Sequence, residues 1–264
     1  MKLRYLVVGV AVFGAAIGGL GASALLQGAS GATGTSHLTG YDVSYPQCGA
    51  KLPGGGTLAV VGVTNGLPWS TNPCLASEFA WASRKPQAAE FYMNTANPFT
   101  ASSHWAARAG TGPRKCANLA DPASQDCAYN YGWNSALDAV QRAAAATTQA
   151  IAGSHAWWLD VETGNSWNGT TAANAADLQG SVDYLRAQGV GAIGIYSTGF
   201  QWGQVTGGYQ VGAKGSLPAP TNWVAGASSA RDAGGWCRPS YSFSGGRVTM
   251  VQYPSGSFDG DLIC

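Results

Sequence analysis

The chain has 264 residues, with 14 Lys and Arg against 13 Asp and Glu, for a formal net charge of +1. That balance excludes the basic footprint needed to grip nucleic acid or an anionic membrane surface. Only 10% of the residues are charged, while Trp and Tyr number 10 and 11, a balance suited to neutral polar ligands such as sugars.

Met1-Lys-Leu-Arg4 is basic, an apolar run follows from Tyr5 to Leu20, and Ala22-Ser-Ala24 offers a small-residue cleavage site. Residues 1–24 therefore read as a secretory signal peptide. The run is rich in Gly and Ala and only weakly hydrophobic, which favours cleavage over an uncleaved anchor. Residues 25–38 are small and polar and read as a flexible linker. Residues 39–264 remain as one barrel-sized domain, expected to be extracellular or in the cell wall with no membrane attachment after cleavage. All six cysteines lie beyond the leader, and an even count in an exported chain implies three disulfides. Pairing neighbours along the chain gives Cys48–Cys74, Cys116–Cys127 and Cys237–Cys264, although sequence alone does not choose among the pairings. No C-x-x-C occurs and the histidines at 37, 104 and 155 are scattered, so no metal or other cofactor is expected.

Strands are predicted at Gly40–Ser44, Leu58–Val63 and Ala89–Asn94. Residues 99–130, with Gly, Pro and two cysteines, read as a long stapled loop. The alanine-rich stretch Asn134–Ala152 is a predicted helix closed by Gly153. Ala156–Glu162 is the fourth strand, and Thr171–Gln188 a helix with Leu178, Val182 and Leu185 on one face. Gly191–Tyr196 is the fifth strand, followed by a short helix over Gly199–Val205. Asn222–Gly226, Val248–Tyr253 and Phe258–Ile263 complete a set of eight. Near-continuous apolar strands alternating with helices indicate parallel strands buried on both faces. The fold class is therefore α/β, a single disulfide-stapled (β/α) barrel. Its later connections are short or Gly/Pro-rich, so the second half is expected to be helix-poor.

Barrels of this kind carry their chemistry where the strands end. Those ends hold Asp42 and Ser44, Asn65, Tyr92 and Asn94, Asp160 and Glu162, Tyr196, Trp223, Gln252 with Tyr253, and Asp259 with Asp261. Asp160 and Glu162 stand at i and i+2, so a strand places both on one face. Two acids there repel each other and lose hydration, a cost that a carboxylate pair for glycoside hydrolysis would justify. No G-x-S-x-G elbow or phosphate loop is present. His155 has no partner nucleophile and reads as structural.

Gly40-Tyr-Asp-Val-Ser44, Asp160-Val-Glu162, Gly194-Ile-Tyr-Ser197, Trp223-Val-Ala225 and Val251-Gln-Tyr-Pro-Ser-Gly256 leading to Asp261-Leu262 occur in that order. In these pieces the chain resembles the family 25 glycoside hydrolases, the lysozyme-like muramidases of the Chalaropsis type. The resemblance implies a (β/α)5(β)3 barrel with Glu162 as general acid, Asp160 as its partner carboxylate, and Asp42 and Asp261 as further site aspartates. Tyr92, Asn94, Tyr196, Trp223, Gln252 and Asp259 would then contact substrate. The implied activity is a retaining, monomeric hydrolase of β-1,4 bonds in peptidoglycan or a related N-acetylated polysaccharide. The retaining path runs through an enzyme carboxylate or the substrate's own N-acetyl group, and the sequence leaves both open. The alternative is a catalytically silent glycan-binding barrel at the cell surface. Two departures stand out. Asp259-Gly-Asp261 offers two aspartates for one role, with Asp261 favoured because Leu262 follows it. The loop at 99–130 has no counterpart in the resemblance.

Overall fold

Eight strands close into one barrel in the computed structural model, which describes residues 38–148, 153–211 and 219–264. They are β1 (Thr39–Val43), β2 (Leu58–Gly62), β3 (Glu90–Asn94), β4 (Trp157–Asp160), β5 (Ile193–Ser197), β6 (Thr221–Val224), β7 (Val248–Ser255) and β8 (Phe258–Ile263). Each matches an expected strand. The expected signal peptide and all but the last residue of the expected linker lie outside the described residues. No helix among the described residues is long and apolar enough to cross a membrane.

The strands are runs of apolar residues because both of their faces are covered. On β4, Trp157 and Leu159 point outward into the core shared with the helices, together with Phe91, Leu178, Leu185 and Ile195. Trp158, on the other face, points into the barrel and packs with Leu58, Val60, Trp223 and Met250. Each such buried side chain contributes about 1.5–3 kcal/mol. The inner aromatics meet edge to face: Trp223 lies 5.5 Å from Trp158 and 4.7 Å from Tyr196 between ring centroids. They floor the space above them.

The wholly parallel sheet expected from the sequence is corrected at the last strand. β1 to β7 run parallel, but β8 is antiparallel to both β7 and β1. Ser255 pairs with Phe258 across a two-residue turn, whose first residue, Gly256, takes φ +69°. A positive φ at that position suits glycine and closes a tight hairpin. No room is left for a helix there.

The helices are α1 (Leu75–Ala82), α2 (Trp105–Ala109), α3 (Gln125–Thr147), α4 (Thr171–Ala187), α5 (Gly199–Thr206) and α6 (Ala230–Trp236). The first connection carries only the 3-10 turn Tyr45–Gln47, and the sixth only the seven residues of α6 and the 3-10 turn Pro239–Tyr241. Helical cover thus thins toward the C-terminal end, less abruptly than expected. The stretch at 99–130 is not simply a loop. It contains α2 and the first turns of α3, which begins at Gln125 rather than Asn134, with the Ser124 hydroxyl capping it by accepting from the Cys127 amide. Gly132 lowers helix propensity in that region, yet it is required. A Cβ on Gly132 would stand 1.9 Å from the Asp177 carbonyl oxygen, and one on Gly180 would stand 2.1 Å from that of Tyr129. α3 and α4 therefore cross with backbones nearly touching. Residues 149–152, the expected end of this helix, lie outside the described residues.

All three expected disulfides form, with Cα–Cα separations of 5.5, 4.6 and 5.3 Å for Cys48–Cys74, Cys116–Cys127 and Cys237–Cys264. Links of this kind typically contribute about 2–4 kcal/mol each.

Candidate active site

Inward-facing residues at one end of the barrel surround a hollow of about 270 Å³. Four of its lining residues are carboxylates, Asp42 from β1, Asp160 from β4, Glu162 just beyond β4 and Asp259 from β8. Tyr92, Tyr196, Trp223 and Gln252 supply the rest of its wall. The fourth strand ends at Asp160, not at Glu162 as expected. Backbone pairing nevertheless continues one residue further, with the Val161 amide donating to the Tyr196 carbonyl at 2.9 Å. That extension delivers Glu162 to the same side as Asp160. The turn after it is gripped from below, where the Trp167 indole and the Asn165 amide both donate to the Glu162 carbonyl oxygen, at 2.8 and 3.1 Å.

Two hydrogen-bond relays orient the buried acids. The Tyr196 hydroxyl donates to Gln252 Oε1 at 2.8 Å, and Gln252 Nε2 donates to Asp42 Oδ2 at 2.9 Å. The Thr64 hydroxyl donates to Asn94 Oδ1 at 2.7 Å, which turns the Asn94 amide nitrogen toward Asp160 Oδ2, where it donates in turn. Asn94 thus stands behind Asp160 and does not line the hollow. Asp160 Oδ1 makes no hydrogen bond among the described residues.

Burial and crowding push these acids toward their neutral forms. Asp42 is raised to about 8, first by burial and then by the charge of Asp259, against the opposing bond from Gln252. Asp160 is raised well above the carboxylate range by burial, then by Glu162, with Asn94 opposing. Glu162 is raised by burial and then by Asp259. Asp259 is itself raised by burial alone. Tyr92 and Tyr196 are pushed well above the usual phenol value by burial and stay neutral. A cluster so crowded retains protons near neutral pH and titrates as a set.

Asp261 is not where the sequence reading puts it. It is fully buried and does not line the hollow. The Trp223 indole N–H approaches it without completing a hydrogen bond of ordinary geometry. The physical reason is the reversal of β8, which brings the strand's beginning to the mouth and sends its end inward. Asn65 is exposed while Thr64, one residue earlier, is buried beside Asn94. Tyr253 belongs to the outer cluster with Val251 and Leu262. Sequence reasoning missed Thr64 and Trp167, and also Glu90, which lies inside the barrel below the site and accepts from the Trp158 indole at 2.6 Å. Glu90 is legible only by parity, as the residue two before Tyr92. His155 contacts the Ala89 carbonyl oxygen through Nδ1 at 2.6 Å and packs on Phe79 and Phe91, a structural setting. Among the described residues the grouping of possible metal-ligand atoms is Cys48, Cys74 and Glu78, and its two sulfurs are joined in a disulfide.

The segment 99–124 forms a wall fastened to neighbouring loops. The Trp69 indole donates to the Tyr131 hydroxyl at 2.8 Å. His104 stacks on the Trp69 ring at 5.2 Å, with Arg108 over that ring at 4.9 Å. At its base, the Asn168 amide donates to the Asn97 carbonyl at 2.8 Å and its side chain to the Pro98 carbonyl at 3.0 Å.

Comparison with known proteins gives a consistent picture. A family described as lysozyme-like protein 1 matches residues 129–218, the stretch holding Asp160 and Glu162 but not Asp42, Asp259 or Asp261. A probable GH family 25 lysozyme 4 from Dictyostelium discoideum is 40% identical over 86 residues, 31% of this chain and 38% of that relative. The match thus spans little more than a third of the relative's length. Solved structures are similar over nearly the whole described barrel. A family GH25 lysozyme from Aspergillus fumigatus has a TM-score of 0.54 at 14% identity, covering 87% of this chain and 94% of that one. A bacterial lysozyme from Streptomyces coelicolor has a TM-score of 0.53 at 17% identity, covering 87% and 93%. A muramidase from Trichobolus zukalii has 0.52 at 16%, covering 86% and 93%. At these identities the likeness concerns the fold. The likeness in sequence to lysozyme-like proteins is thus confined to the segment that bears Asp160 and Glu162, and the likeness across the whole barrel is one of fold.

Proposed function

We propose that this protein is a secreted, monomeric glycosidase of the muramidase type that cleaves β-1,4 bonds in peptidoglycan by a retaining path. The observation that carries the reading is the convergence of Asp42, Asp160, Glu162 and Asp259 on one hollow open to solvent. Carboxyl groups in such a setting supply both a proton donor and an anion for an oxocarbenium-like transition state. The lysozyme naming of the matching relative points the same way, and three disulfides suit an exported chain.

In this mechanism Glu162 protonates the departing glycosidic oxygen. It is half-buried, so it keeps its proton above the ordinary carboxylate range yet reaches substrate. Asp160, with Oδ2 held by Asn94 and its buried Oδ1 without a hydrogen-bond partner among the described residues, would stand on the side of the anomeric carbon or of the 2-acetamido group next to it. Tyr92, Tyr196 and Trp223 present ring faces and edges to the sugar. Replacing Glu162 by Gln keeps shape and removes the transferable proton. We expect reducing-end release from peptidoglycan to fall by about a thousandfold with the circular dichroism spectrum unchanged. Wild-type protein that binds peptidoglycan and releases nothing would replace this reading with a silent glycan-binding barrel.

A further inference from the structure

We propose that reduction of the Cys48–Cys74 disulfide opens a zinc site in which the two sulfurs and the Glu78 carboxylate are the ligands. The site shares no residue with the acidic hollow and is independent of the glycosidase reading.

Cys48 caps the 3-10 turn Tyr45–Gln47 at its end, and Cys74 caps α1 at its start. Glu78 follows Cys74 by four residues, which places the two on one face of the helix. The two sulfurs and a carboxylate oxygen of Glu78 all lie within 4.8 Å of one another. Two thiolates and one carboxylate suit zinc, with a fourth position left for water. Both cysteines are partly exposed, so a small reductant can reach the bond.

Glu78 supplies a second, independent ground. Its side chain is 2% exposed, and Oε1 has no hydrogen-bond partner among the described residues. A buried carboxylate oxygen left in that state is costly, and a cation between it and the sulfurs would satisfy it. The other oxygen is held in place. The Asn72 side-chain amide donates to Glu78 Oε2 at 2.6 Å and to the Gly62 carbonyl at 2.8 Å, while Asn72 Oδ1 accepts from the Cys74 amide at 2.9 Å. One buried asparagine thus fixes Glu78 and Cys74 relative to each other, as outer-shell groups do around a metal. A cleft of about 440 Å³ has Cys74, Glu78 and Trp81 in its wall and gives a path of entry. Lys51 and Arg84 also line it, and their charges offset the net negative charge that a dication with three anionic ligands retains.

A dithiol reductant passes two electrons and two protons to the Cys48–Cys74 bond, which breaks as the reductant closes its own disulfide. Zinc then displaces the two thiol protons to solvent and binds the thiolates. In either state the 3-10 turn stays tied to α1, by a covalent bond or by a metal.

The test reduces the full chain with dithiothreitol, removes the reductant without air, adds Cd²⁺ as the probe and alkylates free thiols with iodoacetamide. We expect one Cd²⁺ per chain, sulfur-to-metal charge-transfer absorption, and protection of Cys48 and Cys74 alone in peptide mass mapping. An unfolded chain would instead protect Cys116 and Cys127 first, since they stand 11 residues apart against 26 for Cys48 and Cys74 and close the smaller loop. Loss of an outer-shell partner weakens metal binding by about 10–100-fold, so removal of the ligand itself in Glu78→Gln is expected to cost at least about a hundredfold. Should Glu78→Gln fail to fold, Glu78→Asp, which withdraws the carboxylate by one methylene, is read by the same criterion. Protection of any other set of cysteines or of none, an affinity unchanged by the Glu78 substitution, or a reduced chain whose circular dichroism is lost and not restored by Cd²⁺ overturns the proposal.

Discussion

The acidic hollow and the wall built by residues 99–124 lie at the same end of the chemistry but are constructed on opposite terms. In the wall, polar groups find partners. Asn130 is fully buried and accepts from the Arg114 amide at 3.0 Å while donating to the Ala109 and Arg114 carbonyls at 3.1 and 2.8 Å. The Trp105 indole donates to the Leu119 carbonyl at 2.9 Å, and Cys116–Cys127 ties the segment to α3. In the hollow, by contrast, Asp160 Oδ1 has no partner among the described residues, and like charges face one another. One region is arranged for stability. The other holds destabilising chemistry that only a rigid surround can keep in place.

Substitutions that break the wall should therefore cost stability, whereas those that relieve the hollow should return it. The largest effect is expected for Trp105→Ala. Trp105 is buried in a cluster with Tyr131 and Ala109, and truncating a large buried aromatic costs about 3–5 kcal/mol. Urea denaturation would show it as a lower midpoint, and an unchanged midpoint would mean that the wall is not part of the cooperative unit. The next effect concerns pH. The Asp42 carboxyl sits near the ordinary value of 3.8 when exposed and about 8 in the folded chain. Between those values the native state holds a proton that the unfolded chain has released, so stability is fullest at the acid end and falls as pH rises from about 4 to about 8. Asp42→Asn should flatten that decline in a series of thermal melts; a slope equal to wild type would contradict the assignment. The smallest effect is expected for Arg108→Ala, which removes the cation above Trp69 from an exposed position. About 0.5–1 kcal/mol is at stake, measurable by the same urea titration, and a larger loss would mean that Arg108 supports more than the Trp69 ring.

How much of this was legible in the sequence depended on whether local pattern and tertiary demand agreed. Leu58–Val63 and Trp157–Leu159 read as buried strands because double-sided burial leaves an unbroken apolar run. The hollow's acids stood out because a charge at the end of such a run has few bland explanations. The start of α3 was hidden because Tyr129–Gly132 carries a weak helix former that the crossing with α4 needs. The order of Asp259 and Asp261 was hidden because it follows from the direction of β8, and strand direction leaves no mark on alternation. Glu90 was hidden inside an otherwise apolar segment, where only the inward parity shared with Tyr92 marks it.

The splice between Asn97–Pro98 and Asn168 has a consequence for how a glycan would be met. The turn bearing Glu162 is moored at its near end by β4 and at its far end by the root of the wall, so it has little freedom left to lose. On the proposed mechanism, an acid mounted in that way would arrive at the scissile oxygen already aimed, and binding would spend little of its free energy on freezing it in place.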